Sequence, residues 1–371
     1  MFSRKAGQTA TAEADDHEQR PIWAGDGSDQ PPTTHRRRRT RRVLLCSVVM
    51  LMSLLGLLAG AVFVVSERLA GQVHRYPNVF SNLEKDARPP ATRALTFLFV
   101  GTDSLSEHPT TGSEAAAKGQ IPGGGRSDVI MLAQVNADRR GATVVSIPRD
   151  GWVPVPGHGF NKINAAFAFG GPSLLVQTVE SVTHIRVDHF GVIDFAGFQA
   201  MTDAVGGIDV NVARPTSFGA LSFDAGLNHL DGEHALAYVR QRHGLPRGDL
   251  DRVQRQQNAL RALLSRVMSN GMLSDPLRTY ELLNAITRSV SVDDTLTNSG
   301  LRTLAMDLRR VSGDDVTFMT APVAGLGREG AQSVVYLDAD RSAQLWRAFS
   351  SGTVRDYLTK YPGDTLPWSP P

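Results

Sequence analysis

Between Val43 and Val65 the chain runs for about 23 residues without a charge, every one apolar or small. A helix of that length crosses the roughly 30 Å hydrocarbon core of a bilayer. A buried helix of a water-soluble domain shows a polar face, and this stretch has none. Directly before it stand Arg36 to Arg39, Arg41 and Arg42. Basic residues beside a first span hold their side in the cytoplasm. The sequence therefore predicts a signal-anchor helix over 43–65, with residues 1–42 cytoplasmic and everything after Ser66 outside. A cleaved signal peptide ending near Ala59-Gly60-Ala61 is the rival, but the run is longer than a signal core and continues past those residues. The expected location is the plasma membrane, crossed once.

The remaining sequence bounds the soluble part. Of 371 residues, 41% are hydrophobic and 20% charged, enough for one large packed domain. Residues 1–42 are polar and poor in large apolar side chains, as a disordered tail is. Residues 66–93 read as a polar stalk, broken by Pro77 and by Pro89-Pro90. The globular domain is expected over 94–349, followed by a flexible proline-containing tail over 350–371. The single cysteine, Cys46, lies in the apolar run, so neither a disulfide nor a cysteine zinc site can form within one chain.

Within 94–349, strand and helix patterns alternate. Leu95 to Val100 is a continuous apolar run ended by Gly101, the pattern of a strand buried on both faces. Val129 to Val135, Thr143 to Ile147, Phe190 to Ile193, Ile208 to Val212 and Val316 to Thr320 read likewise. Helices are expected over Pro172 to Val182, with proline in the first turn, over Phe195 to Ala204, and over Asp231 to Tyr238 with Asp231 as N-cap. A long one runs from Leu250 to Met268, with Leu260, Leu263, Leu264 and Val267 on one stripe. Two more fall near 276–289 and 297–310. This alternation predicts a single three-layer α/β/α domain, its central mixed sheet covered by helices on both sides and preceded by one transmembrane helix.

Charged residues gather at the ends of these elements. Asp103 follows the first buried strand, where α/β sheets collect ligands; it either holds a cation or caps a turn. Arg126 and Asp128 bracket the entry to the next strand, as phosphate and metal ligands or as a surface ion pair. Arg149 and Asp150 follow Ser146-Ile147-Pro148, where proline fixes the backbone that aims the arginine. Asn161, Lys162 and Asn164 lie close by. Arg240 and Arg242 share a face if the chain is extended there, and Asp249, Arg252 and Gln256 share a helical stripe. Arginine forks suit phosphate oxygens, and aspartates suit Mg2+ with substrate phosphates. The favoured chemistry is phosphoryl transfer by positioning and charge neutralisation. No Walker-type loop or nucleophile elbow is present in the sequence, so a nucleotide is not implied.

In order and spacing, Gly101 to Ser104, Arg126 to Asp128, Ser146 to Asp150, Lys162 to Ala166, Val205 to Gly207, Tyr238 to Arg242 and Gly248 to Gln257 resemble the motifs of the LytR-CpsA-Psr family of cell-wall glycopolymer transferases. The resemblance runs from about Leu95 to Arg266. It implies transfer of a glycopolymer from a polyprenyl-pyrophosphate carrier to peptidoglycan through a phosphodiester bond. By motif, Asp103 and Asp128 are the implied ligands of Mg2+ (or Mn2+). Arg126, Arg149, Arg240 and Arg242 are the implied pyrophosphate contacts. Asp249, Arg252 and Gln256 line the same site, with Asp249 suited to a general base, and Lys162 joins them. Leu105 departs from the pattern, standing where many members carry arginine.

Two other functions remain open to the sequence. One is a membrane-bound transcriptional regulator using the arginine block. That block has no helix-turn-helix pattern and abuts the membrane span, so no nucleic-acid partner is expected. The other is a non-catalytic binder of polyprenyl lipid or wall polymer.

Overall fold

A mixed seven-stranded sheet organises the chain. The computed structural model describes residues 62–102, 127–268 and 275–371, with 50, 52, 53 and 60. Residues 1–42, most of the apolar run, Asp103, Leu105 and Arg126 lie outside the described residues. Among those described, no helix is long and apolar enough to cross a membrane. Ala61–Pro371 forms one compact unit.

The chain enters by a helix, α1 (residues 62–72), and then β1 (His74–Tyr76), β2 (Leu95–Thr102), β3 (Ser127–Val135) and β4 (Ala142–Ser146). A hairpin, β5 (Trp152–Val155) and β6 (Gly159–Lys162), leads into α2 (Ile163–Thr183), β7 (His189–Asp194) and α3 (Phe195–Ala204). The strands β8 (Ile208–Val212), β9 (Thr216–Phe218), β10 (Leu221–Phe223) and β11 (Gly226–Leu230) precede α4 (Gly232–Arg240), α5 (Asp249–Met268) and α6 (Pro276–Ser289). The remaining elements are β12 (Val290–Asp293), α7 (Asn298–Leu308), β13 (Val316–Thr320), β14 (Val323–Glu329), β15 (Gln332–Leu337), α8 (Ala339–Ser351) and α9 (Val354–Lys360).

The main sheet has the order β1-β12-β7-β2-β3-β4-β13. β2, β4, β7 and β13 point one way, and β3 and β12 run against them. Register builds the core row by row. Phe190, Leu98, Leu132, Val145 and Met319 stand side by side across five strands. All are buried in one cluster with Leu175, Val176 and Val179 of α2 and with Leu345 and Phe349 of α8. The opposite face places Met131, Val144 and Phe318 against Leu260 and Leu264 of α5. Further along, Phe97 and Val135 meet Met268 and Leu304 of α7. Strands covered on both faces read as unbroken apolar runs, which is why β2 to β4 were legible in the sequence.

α2 begins earlier than expected. It runs from Ile163 and bends at Gly170 and Gly171, so Pro172 lies inside it and not at its start. Proline removes an N–H and crowds the preceding turn. Gly171 accommodates the break at φ 63°, a conformation that a side chain resists.

The segment 66–93, expected as a stalk, belongs to the domain. Tyr76, Val79 and Leu83 sit in the main core, and β1 pairs with β12. Arg75 donates to the carbonyls of Leu296 (3.1 Å) and Val73 (3.2 Å) and to Asn298 Oδ1 (2.6 Å). Arg88 forks onto Glu180 at 2.7 Å and reaches the Val187 carbonyl. The tail 350–371 is likewise packed. Tyr357 and Leu366 are buried, and the carbonyls of Pro367, Trp368 and Pro371 accept hydrogen bonds from arginines of α5. Proline content suggested flexibility; the buried donors that these carbonyls satisfy are what sequence patterns do not show.

Asp293, fully buried, collects donors from Phe190 N (3.0 Å), Thr295 N (3.0 Å), the Thr295 hydroxyl and His189 Nδ1 (3.2 Å). Burial raises its pKa, but His189, Thr295 and Phe190 outweigh it and hold the carboxyl below its usual value. A carboxyl depressed in the folded state stabilises at pH values above its unfolded pKa, and loses that contribution as pH falls through the folded value. Asp293→Asn should cost about 1–3 kcal/mol at pH 7. Urea denaturation should show that deficit shrinking below about pH 4; an undiminished gap at pH 3 would contradict the assignment.

Candidate active site

The carboxyl end of β2 lies beside the start of β3, where Thr102 pairs with Ser127, and β4 ends beside the middle of β3, where Ser146 pairs with Met131. This is the edge at which open α/β sheets expose loops to ligands. Asp128, second residue of β3, is buried there. From β4 the chain turns through Pro148, closed by a Gly151 N–H donating to the Pro148 carbonyl at 2.9 Å. The turn aims Arg149 at Asp128, and the two form a close ion pair. Arg149 Nε also lies 3.4 Å from Asp249 Oδ2 and 3.9 Å from Asp150 Oδ2. Lys162, at the end of β6, approaches Asp150 at 3.0 Å.

Two helices complete the cluster. α4 is capped by Asp231, which accepts from His234 N. It ends at Arg240, and Gln241 turns extended. Arg242 then reaches within 3.6 Å of Asp128 Oδ1. Arg240 stays on the helix, with its guanidinium 4.8 Å from the centroid of Phe195. The two arginines were expected to share one face if the chain is extended there; Arg240 is the last residue of α4, and the chain is extended at Gln241. Asp249 opens α5, and Arg252 lies 2.6 Å from its carboxylate and 4.0 Å from Asp128 Oδ1. Gln256, one turn on, donates to the Val239 carbonyl at 3.4 Å. The Asp249–Arg252–Gln256 stripe forms as its spacing implies. The amino end of the 20-residue α5 adds a positive dipole end to the same place.

Asp128, Arg149, Lys162, Arg242, Asp249 and Arg252 thus form one ion-pair network with Asp150, and Gln256 flanks it on α5. Asp103 and Arg126 lie outside the described residues. Sequence reasoning singled out Asp150 beside Arg149 but gave it no role in the site. It also passed over Arg255 and Gln241, because a charge near the middle of an amphipathic helix reads as solvent-facing. Arg255 is instead fully buried. It donates to Gln241 Oε1 and the Pro371 carbonyl, both at 2.6 Å, and to Thr216 Oγ1 at 3.0 Å. It therefore holds the residue between Arg240 and Arg242.

The electrostatics are those of an anion receptor. Burial opposes the charge on Arg149, but Asp249, Asp128 and Asp150 overcome it and raise its pKa. Burial dominates at Arg252 and pushes its pKa down to about 10, which still leaves it charged at neutral pH. Arg149 Nε, Arg252 Nε and Nη2, Asp249 Oδ1 and Gln256 Oε1 are buried without an aligned hydrogen bond. Arg252 Nη2 and Asp249 Oδ1 are 2.6 Å apart yet misaligned. The distance carries Coulomb attraction; the angle leaves directional bonding capacity unused. The Thr102, Ser127 and Ser146 hydroxyls are similarly unpaired. Phosphate oxygens can accept from the guanidinium N–H groups and the hydroxyls, whereas the Asp249 and Gln256 oxygens call for a donor or a cation.

The profile of the LytR_cpsA_psr family matches residues 70–350. The chain belongs to the LytR-CpsA-Psr family. That match takes in β1, in agreement with the packing of the segment expected as a stalk. Among relatives, the chain is 34% identical over 285 residues to the cell wall biosynthesis protein LcpA of Corynebacterium glutamicum, covering 68% of this chain and 54% of that protein. It is 38% identical over 266 residues to the probable cell wall biosynthesis protein LcpB of the same organism, covering 70% and 63%. The match therefore spans less than two thirds of either relative. It is 32% identical over 250 residues to the polyisoprenyl-teichoic acid–peptidoglycan teichoic acid transferase TagU of Oceanobacillus iheyensis, covering 66% and 75%. A solved structure of B. subtilis TagV superposes with a TM-score of 0.56 at 25% identity, covering 72% of this chain and 99% of that one. TagT bound to LIIa-WTA shares the fold, with a TM-score of 0.54 at 23% identity over 74% and 98% of the two chains. Every site residue named above lies inside the LytR-CpsA-Psr match.

Proposed function

We propose that this protein moves a glycopolymer from a polyprenyl-pyrophosphate carrier onto peptidoglycan, leaving a phosphodiester link. One observation carries the reading: Arg149, Arg242 and Arg252 converge on Asp128 at the sheet edge, and among the described residues Arg149 Nε and Arg252 Nε and Nη2 make no aligned hydrogen bond. Among the described residues the network sets four cations (Arg149, Lys162, Arg242, Arg252) against three carboxylates (Asp128, Asp150, Asp249). The excess positive charge suits a pyrophosphate. The wall-polymer activities named for the relatives supply the substrate class.

In this reading a peptidoglycan sugar hydroxyl attacks the phosphorus that carries the polymer. The bond to the bridging oxygen breaks, and polyprenyl monophosphate leaves with that oxygen. Asp249, positioned by Arg149 and Arg252, accepts the hydroxyl proton. Arg149, Arg242, Arg252, and Arg240 with Arg126, bind the phosphate oxygens and stabilise the charge that gathers there. Gln256 and Lys162 orient the substrate.

The donors fit a hard cation. Asp128 offers carboxylate oxygen, with the Thr102 and Ser127 hydroxyls unpaired at the same edge. Mg2+ takes one or two carboxylates and completes its shell with water and substrate phosphate. Asp128, with Asp103, would hold Mg2+ or Mn2+, which supplies neutralisation of phosphate charge. Turnover should cease in EDTA and return on adding Mg2+. Asp128→Asn should raise the Mg2+ concentration for half-maximal rate by about tenfold or more; turnover indifferent to EDTA overturns the metal assignment. The uncharged run 43–65 and the arginines before it support a single-pass protein with a cytoplasmic N-terminus and an outward-facing domain.

A further inference from the structure

The segment 243–248 runs between Arg242 and Asp249, joining the end of α4 to the start of α5. Buried side chains hold both of its ends. At the first, Gln241, 1% exposed, donates through Nε2 to the His243 carbonyl at 3.2 Å. At the second, Asp251 of α5 is fully buried and accepts twice from Arg247, from its backbone N–H at 2.8 Å and from Nε at 2.6 Å. Arg247 Nη2 donates onward to Gln254 Oε1 at 2.9 Å. The backbone closes around this pair. Gly248 N donates to the Leu245 carbonyl (3.2 Å), Leu250 N to that of Arg247 (3.3 Å) and Arg252 N to that of Gly248 (3.1 Å). Gly244 and Gly248 make the turns at φ of 79° and 56°, a region that glycine enters freely.

Asp251 itself faces away from the chemistry. It stands two residues after Asp249, about 200° around the helix from the stripe that Asp249 shares with Arg252 and Gln256. From the first turn of α5 it reaches back over the helix start, where a carboxylate suits the positive dipole end. A buried carboxylate that loses its guanidinium has to be rehydrated, and the segment must open for that. Asp251 also lies near Arg255 and favours its charged form against burial. Arg255 in turn holds Gln241. The two ends of the segment are therefore tied through one turn of α5, with Arg242 on one side and Asp249 on the other.

We propose that the Arg247–Asp251 pair is a latch on this segment, and that both are positioning residues that hold Arg242 and Asp249 at the Asp128 site. Their effect on turnover rests on the transferase reading. Their effect on binding is measured without a donor, by titrating the full-length chain in detergent micelles with inorganic pyrophosphate and Mg2+. Arg247→Ala removes a cation, and Asp251→Asn removes an anion. Long-range charge alone weakens pyrophosphate binding in the first variant and strengthens it in the second. The latch weakens it in both, by about tenfold. Hydrogen exchange at the amides of 243–250 should quicken in both, while β2 and β3 stay protected. Arg247→Lys restores the charge without the fork, and should return part of the affinity. Arg247 is half exposed, so Arg247→Ala carries the test if Asp251→Asn fails to fold. It is then titrated again beside the parent in about 0.5 M salt, which screens distant charge and leaves the latch loss in place. In turnover, kcat should fall about tenfold in the same variants. Tighter pyrophosphate binding by Asp251→Asn, a loss that vanishes in salt, or quickened exchange with unchanged affinity overturns the latch. A parent that binds pyrophosphate but transfers no sugar removes the transferase reading, while weaker binding in both variants still supports the latch, so the two failures stay separate.

Discussion

Arg149→Ala is expected to lower the rate of glycopolymer transfer by about a thousandfold, the scale at which a single positioned cation stabilises a phosphoryl transition state. Arg149 touches three carboxylates, Asp128, Asp150 and Asp249. Its removal takes away a phosphate contact and also leaves those acids to repel the incoming pyrophosphate. The loss should fall on kcat as well as on donor KM, because charge on the phosphate oxygens grows as the bridging bond breaks. Arg149→Lys should recover only part of the rate. Lysine restores the charge but not the fork that meets two oxygens in a plane. Single-turnover kinetics with saturating donor checks this; a kcat within a few-fold of the parent would remove Arg149 from the chemistry.

The largest stability loss is expected at Arg255, which is not itself a predicted site residue. Its guanidinium is fully buried, satisfied by Gln241, Thr216 and the Pro371 carbonyl, and lies 4.6 Å from the centroid of Tyr238. Arg255→Met keeps the aliphatic stem but strands the Gln241 and Pro371 oxygens. At about 1–3 kcal/mol for each stranded acceptor, the expected loss is roughly 3–5 kcal/mol. Urea denaturation should show a lower midpoint with an unchanged slope. Gln241 sits between Arg240 and Arg242, so the folded fraction should also bind donor more weakly. A loss below about 1 kcal/mol would show that the surroundings repack around the missing fork.

Much of this molecule was legible from its sequence, for identifiable reasons. β2, β3 and β4 are buried on both faces, and their apolar runs announce it. α5 declares its stripe through Leu260, Leu263 and Leu264, and α4 its start through the Asp231 cap. The charged residues stood out because they fall at element ends, where solvated faces do not need them. What stayed hidden depends on partners distant in sequence. Arg75 and Arg88 look like stalk charges until Leu296 and Glu180 are placed beside them. Arg240 and Arg242 were paired on the condition of extended chain, and Arg240 closes the last turn of α4 with the chain extended beyond it at Gln241. Proline in the tail read as flexibility, whereas carbonyls there accept from Arg255 and Arg261 of α5.

The central claim is that the Arg149–Asp128–Asp249 edge exchanges the phosphoanhydride bond to a lipid carrier for a phosphate ester to a wall sugar. Its most direct test incubates the full-length chain with a polyprenyl-pyrophosphate-linked sugar and peptidoglycan fragments in Mg2+, following lipid product and labelled acceptor together. Polyprenyl monophosphate should appear in step with sugar-phosphate on the acceptor, without free inorganic phosphate. Lipid that binds and is never released as the monophosphate, or monophosphate that appears with no label on the acceptor, contradicts the claim.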